Sequence, residues 1–192
     1  MDDGGTWLRT AAVVLFAAGW VPIFLLRSER FGERHRHAEP DERRAMWNAV
    51  LAVTVHVTLA ELAIVHAPAA VPALRLALGM LVFLVGLAFW TLGRRTLVAD
   101  GGLLDPAVPP PALVTHGPFA IVRHPLALGM VILALGPAVT AATPLTWVSF
   151  ATVVVAMARR CLQDEAELRA TFGAAYDAYA AATSSRMIPF AW

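Results

Sequence analysis

Leu113 to Gly129 reads LVTHGPFAIVRHPLALG. It joins a proline-rich polar loop to an apolar run, with Arg123-His124-Pro125 at the junction. A helix entering a membrane gains no stability from an arginine and a histidine at its mouth, because charge close to lipid is costly. Their placement calls for a chemical reason. A second polar stretch, Arg159 to Gly173 (RRCLQDEAELRATFG), follows the last apolar run. The rest of the chain reads as helices that bring these two stretches together at a membrane surface.

Composition supports that reading. Of the 192 residues, 58% are hydrophobic and only 15% charged, against about 45–50% and about 25% in soluble domains. The apolar excess lies in blocks long enough to cross lipid, which predicts one all-α polytopic domain with about five membrane spans. Net charge is +1 and all the basic side chains are arginine. These arginines flank apolar runs and form no single stripe, so a nucleic-acid partner is not expected. A lone cysteine, Cys161, excludes an internal disulfide and a cysteine-built zinc site.

The first run, about Thr10 to Leu26, follows an acidic leader, MDDGG. A secretory signal has a basic n-region, so a retained span is expected. Arg27, Arg30, Arg34, Arg36, Arg43 and Arg44 then share one loop, which the positive-inside rule places in the cytoplasm. His35 and His37 in that loop stand among these cations, an environment that disfavours a metal ion. Contact with lipid head groups suits the loop better.

The second span, about Met46 to His66, carries His56 and Glu61. They point about 140° apart on a helix and serve either an interhelical contact or a pocket. A third span, Val71 to Leu92, ends at Gly93-Arg94-Arg95. The fourth and fifth, Leu126 to Ala142 and Pro144 to Ala158, form a short hairpin in which Thr143 caps a helix that Pro144 begins. The domain thus divides into three N-terminal spans (1–92), a cytoplasmic loop with Arg-His-Pro (93–125), a helical hairpin (126–158) and a cytoplasmic amphipathic tail (159–192).

In the tail, Arg160 and Asp164 share a helix face at i, i+4, with Glu165 beside them. This is either an interfacial anchor with its counter-charges or part of a site. Pro125 can begin a helix whose free amides would suit an anion. Gly117-Pro118-Phe119, then Arg123-His124-Pro125 and Gly129, resembles the first motif of the isoprenylcysteine carboxyl methyltransferase family and the related phospholipid methyltransferases. The tail resembles that family's second motif through Arg160, Asp164-Glu165, Leu168, Phe172-Gly173, Tyr176 and Tyr179. Leu92-Gly93-Arg94 is similar to the segment after the preceding span. Ala127 departs from a tyrosine, Asp164 from a glutamate, and the Arg186 to Pro189 end is spaced differently.

The resemblance implies S-adenosyl-L-methionine as methyl donor and a lipophilic or prenylated acceptor arriving from the membrane lipids. It implies cofactor binding by Gly117, Pro118, Arg123, His124, Pro125, Gly129, Asp164, Glu165 and Tyr176. Arg160 and Glu165 are the expected catalytic residues, Arg160 as the fork that holds a carboxylate acceptor. Two other readings stay open. One is an NADPH-dependent lipid or steroid reductase sharing an Arg-His-Pro stretch; the other is a non-catalytic membrane protein on the same scaffold.

The arginine distribution predicts an external N-terminus and a cytoplasmic C-terminus. Reporter fusions after Arg44, Ala69, Pro109 and Trp192 should read inside, outside, inside and inside. An external signal at Trp192 would separate the two motifs across the membrane and defeat the five-span arrangement.

Overall fold

The computed structural model describes residues 6–20, 40–67, 71–100 and 112–188. Every regular element among them is helical. Helix α1 covers residues 6–20. It is followed by α2 (Pro40–Val65), α3 (Ala73–Ala99), a 3-10 turn (Gly117–Ala120), α4 (Pro125–Ala141), α5 (Pro144–Phe172) and α6 (Ala174–Ala182). Three helices are long and apolar enough to cross a membrane, over Trp47–Val65, Ala73–Ala99 and Pro144–Phe172, and α4 is a shorter apolar helix. The protein is therefore an all-α polytopic membrane protein. His35, His37 and most of the basic loop lie outside the described residues, as do residues 21–26, the proline-rich 101–111 and the last four positions.

In lipid, apolar side chains gain little by leaving one apolar medium for another, so helices associate through close packing of small residues. Helices α3 and α4 follow this rule. Gly79, Gly86 and Gly93 recur at seven-residue steps on α3, and Gly129 and Gly136 do so on α4. A seven-residue repeat keeps one side of a helix against a neighbour in a left-handed pair. A Cβ on Gly129 would lie 2.8 Å from the Trp90 backbone, and one on Gly136 would lie 2.7 Å from the Gly79 carbonyl oxygen. At Gly86 the obstruction is the Leu133 backbone itself. Backbones this close exclude side chains from the seam.

Helix α1 packs on the same scaffold through aromatic rings. Phe16 and Phe83 stand 5.0 Å apart between centroids, and Trp20 meets Phe83 edge-on at 6.3 Å. Helix α2 is held by His56, which is fully buried. Its Nδ1 pairs with Ser149 Oγ at 2.9 Å and its Nε2 with the Ala134 carbonyl at 2.8 Å. The histidine thereby ties α2 to α5 and α4, the interhelical role open to it from sequence. Glu61 takes no such part, and its buried Oε1 has no hydrogen-bond partner among the described residues.

The turn between α4 and α5 matches its sequence signal. Ala142 closes α4 in the left-handed region (φ 50°), and Thr143 caps α5 by a reciprocal pairing with Thr146 while Pro144 takes the first helical position. Helix boundaries elsewhere run further than the apolar runs suggest. Helix α3 continues past Leu92 to Ala99, through Gly93-Arg94-Arg95. The Arg94 guanidinium lies over the Trp90 ring at 5.7 Å, a contact that keeps the charge on the helix surface. Helix α5 passes Ala158 without a break and reaches Phe172. There Gly173, at φ 52°, adopts a backbone geometry that other residues rarely take, and α6 begins.

The seam generates a paired prediction. Replacing an exposed helical glycine with alanine usually gains up to about 1 kcal/mol in helix propensity. Overpacking costs about 1–3 kcal/mol, so Gly86→Ala should lower the melting temperature in detergent. At Gly93 the nearest atom is the tip of Leu126, 3.2 Å from the new Cβ, and Gly93→Ala should be close to neutral. Equal effects of the two would mean that the seam does not govern stability.

Candidate functional site

Three segments far apart in the chain converge below α4. The first begins with the 3-10 turn, which Gly117 enters at φ 61°. That backbone conformation accounts for the glycine, and Pro118 sits in the turn's first positions. The Phe119 carbonyl accepts a hydrogen bond from the Tyr179 hydroxyl at 2.8 Å, which docks α6 on the turn. Next come Arg123 and His124, both largely buried, with Pro125 opening α4 where no amide donor is needed.

The C-terminal segment pairs with this stretch through the backbone. Arg123 N–H donates to the Ser185 carbonyl at 3.0 Å, and His124 N–H to the Arg186 carbonyl at 2.8 Å. The far half of α5 supplies the third wall. Its buried residues Ser149, Val153, Met157, Cys161 and Glu165 recur every four positions, so one stripe carries burial from the membrane span to Glu165.

Glu165, only 4% exposed, is the hub. Arg123 Nη2 donates to its Oε1 at 3.1 Å, and Arg186 Nε reaches Oε1 and Oε2 at 3.1 and 3.2 Å. His124 Nε2 lies 3.4 Å from Oε1. Burial holds the His124 imidazole below its usual range, against the opposing pull of Asp164 and Glu165. His124 is accordingly neutral at pH 7. One carboxylate thus faces two guanidiniums. Arg160 and Asp164 form their own ion pair one turn before, and balance each other.

Two polar atoms in this cluster are buried without hydrogen-bond partners among the described residues, Arg123 Nε and the Tyr176 hydroxyl. Burial first, and then the Glu165 charge, push the Tyr176 phenol upward, so it remains a hydrogen-bond donor. An orphaned buried donor costs about 1–3 kcal/mol. A ligand that accepts from it recovers that cost.

The structure brings together Arg123, His124, Pro125, Asp164, Glu165 and Tyr176 from the sequence-derived set. Gly117 and Pro118 shape the turn beside them. Gly129 lies in the α3–α4 seam, against Trp90. Arg160 shares the helix with Glu165, but its partner is Asp164. Ala127, where the resembled motif has tyrosine, is half-buried against the helical core. Arg186 is the residue that sequence reasoning missed. Its one signal was the differently spaced Arg186 to Pro189 end.

A family profile described as phospholipid methyltransferase matches residues 74–175. The match covers α3, the Arg-His-Pro stretch, the hairpin and Glu165, and stops before Arg186. No curated protein matches the chain. The matched profile describes methyl transfer and no nicotinamide chemistry, and so favours the transferase over the reductase. Spanning more than half of the chain, it shows that this membrane protein belongs to the phospholipid methyltransferase family, whose members generally use S-adenosylmethionine.

Proposed function

We propose that the protein transfers a methyl group from S-adenosylmethionine to a lipophilic carboxylate, such as a prenylcysteine-like or other lipid acid, at the cytoplasmic face of the cell membrane. The observation that carries this reading is the buried cluster in which Arg123 and Arg186 meet Glu165, with Arg123 Nε left without a hydrogen-bond partner among the described residues. The donor set fits the cofactor's chemistry. Its amino-acid part presents a carboxylate, for which Arg123 has an unengaged Nε. Its ammonium and ribose hydroxyls are donors, for which Glu165 and Asp164 are acceptors. S-adenosylmethionine, when bound, supplies an electrophilic methyl group on a sulfonium centre.

The chain's residues bind, orient and exclude water. Arg123 and Arg186 fix the Glu165 carboxylate, and the backbone pairing of Arg123 and His124 with Ser185 and Arg186 holds the wall rigid. Positioning of this kind supplies much of the barrier reduction in a displacement reaction. A carboxylate acceptor needs no base. This suits Glu165, whose oxygens already accept from Arg123 and Arg186. Arg160 at the neighbouring turn is then the fork for the acceptor, with Asp164 as its resting partner. The cytoplasmic orientation rests on the arginines at 27–44, 94–95 and 159–160.

A second reading, methylation of a lipid amine, is favoured by the description of the matched family. It requires a proton to leave the acceptor, and Glu165 is the nearest carboxylate to serve. The two readings part in mutant kinetics. With a carboxylate acceptor, Arg160→Lys loses the bidentate fork and should cut methyl transfer to native lipids by at least about tenfold, with little dependence on pH above neutrality. With an amine, rates should climb with pH, and Glu165→Gln should suffer more than Arg160→Lys. Glu165→Gln also leaves Arg123 buried without its counter-charge, at a cost of about 3–5 kcal/mol. Its melting temperature must therefore be read alongside its rate. Full activity in both variants would remove this end of α5 from the active site.

His124 gives a pH prediction. Its folded pKa lies below the unfolded value of 6.5, so the unfolded chain takes up the proton first as pH falls. Stability should be fully present above about pH 6.5 and decline below it. His124→Gln keeps a donor of similar reach without titrating, and should flatten that part of the profile of melting temperature against pH. An unchanged profile would show that His124 does not carry the effect.

A further inference from the structure

A groove of about 880 Å³ runs down the outside of the bundle between α2 and α5. That volume lies within the range of about 300–1,000 Å³ typical of small-molecule sites. One end is polar and basic, lined by Arg44 and Asn48 from α2 and by Arg159 and Gln163 from α5. Beyond it the walls are apolar, with Ala52 on one side and Val148 and Val155 on the other. Trp47 is exposed beside the basic end, at the depth where tryptophan marks a membrane–water interface. Val148 and Val155 are exposed within a helix long enough to cross the membrane.

The groove is separate from the cluster around Glu165. The buried stripe of α5 runs through Val153, Met157 and Cys161 to Glu165. Arg159 lies six positions before Glu165, which places it roughly 120° away around the helix. The groove therefore faces outward while Glu165 faces the C-terminal segment.

We propose that this groove binds an anionic phospholipid of the surrounding membrane, with its phosphate at Arg159 and an acyl chain along the apolar walls. Charge complementarity selects this occupant. Arg159 presents an exposed guanidinium at the groove's basic end, and guanidinium forks match phosphate oxygens. The change from basic to apolar lining follows the order of head group and chain in a lipid leaflet. Asn48 offers an amide at the boundary, where glycerol ester oxygens would lie. A bound lipid would brace the α2–α5 pair.

Native mass spectrometry of the full chain, purified in detergent and offered equal amounts of phosphatidylglycerol and phosphatidylcholine, tests this directly. Monomers should retain phosphatidylglycerol preferentially. Arg159→Gln should weaken that retention roughly tenfold, as expected for losing a charge-assisted hydrogen bond. Ala151→Trp fills the apolar part with both arginines intact and should weaken it too. Both positions are exposed, so both variants should keep the wild-type melting temperature and S-adenosylhomocysteine affinity. Equal retention of the two lipids would overturn the proposal, as would a preference that survives Arg159→Gln. Displacement by glycerol phosphate alone would also overturn it, and so would a chain dimer that Arg159→Gln dissociates.

Discussion

A carboxylate withdrawn from water at a membrane edge is tolerated only if cations and hydrogen-bond donors surround it. Glu165 is that carboxylate, and most of the architecture follows from meeting its requirement. Its donors come from two places in the chain, Arg123 and His124 before α4 and Arg186 near the C-terminus. Neither can arrive alone. The backbone bonds from Arg123 and His124 to Ser185 and Arg186 bring both donor groups together, and Tyr179 fastens α6 to Phe119 behind them. Loss of any of these ties would leave a buried charge without its partner.

The membrane part sets the distances. The glycine seam draws α4 against α3, which fixes where α4 begins and hence where Arg123 and His124 lie. The capped start of α5 fixes the phase of that helix, and its unbroken run to Phe172 delivers Glu165 to the same level. His56 joins α2 to both members of the hairpin, so the scaffold is pinned from the other side. The Glu165 cluster then lies where α4 begins and where α5 nears its end, an arrangement that favours precise positioning.

Local signals in the sequence were legible. The Thr143-Pro144 start carries a short-range pattern with one physical reading. The Arg160–Asp164 pair was visible because its members are four residues apart. Glu165's true partners lie 21 and 42 positions away, and no local spacing reveals such a contact. Arg186 escaped for that reason. Gly129 illustrates a different limit, because a glycine that admits a ligand and one that admits a neighbouring backbone look alike until the neighbour is known. The end of α3 was read early because an arginine pair signals the membrane edge but does not stop a helix.

An outward groove with a basic mouth and an inward carboxylate bound by guanidiniums give the two sides of α5 different tasks. One side meets the bilayer, and the other closes on the C-terminal segment. The account stands most directly on whether the Glu165 cluster holds the methyl donor's product. Calorimetric titration of the detergent-solubilised protein with S-adenosylhomocysteine, on the native chain and on Arg123→Gln, measures this. The account predicts saturable binding by the native chain and roughly 10- to 100-fold weaker binding when the Arg123 fork is lost. No binding by the folded native chain, or equal affinity in a folded Arg123→Gln variant, would contradict it.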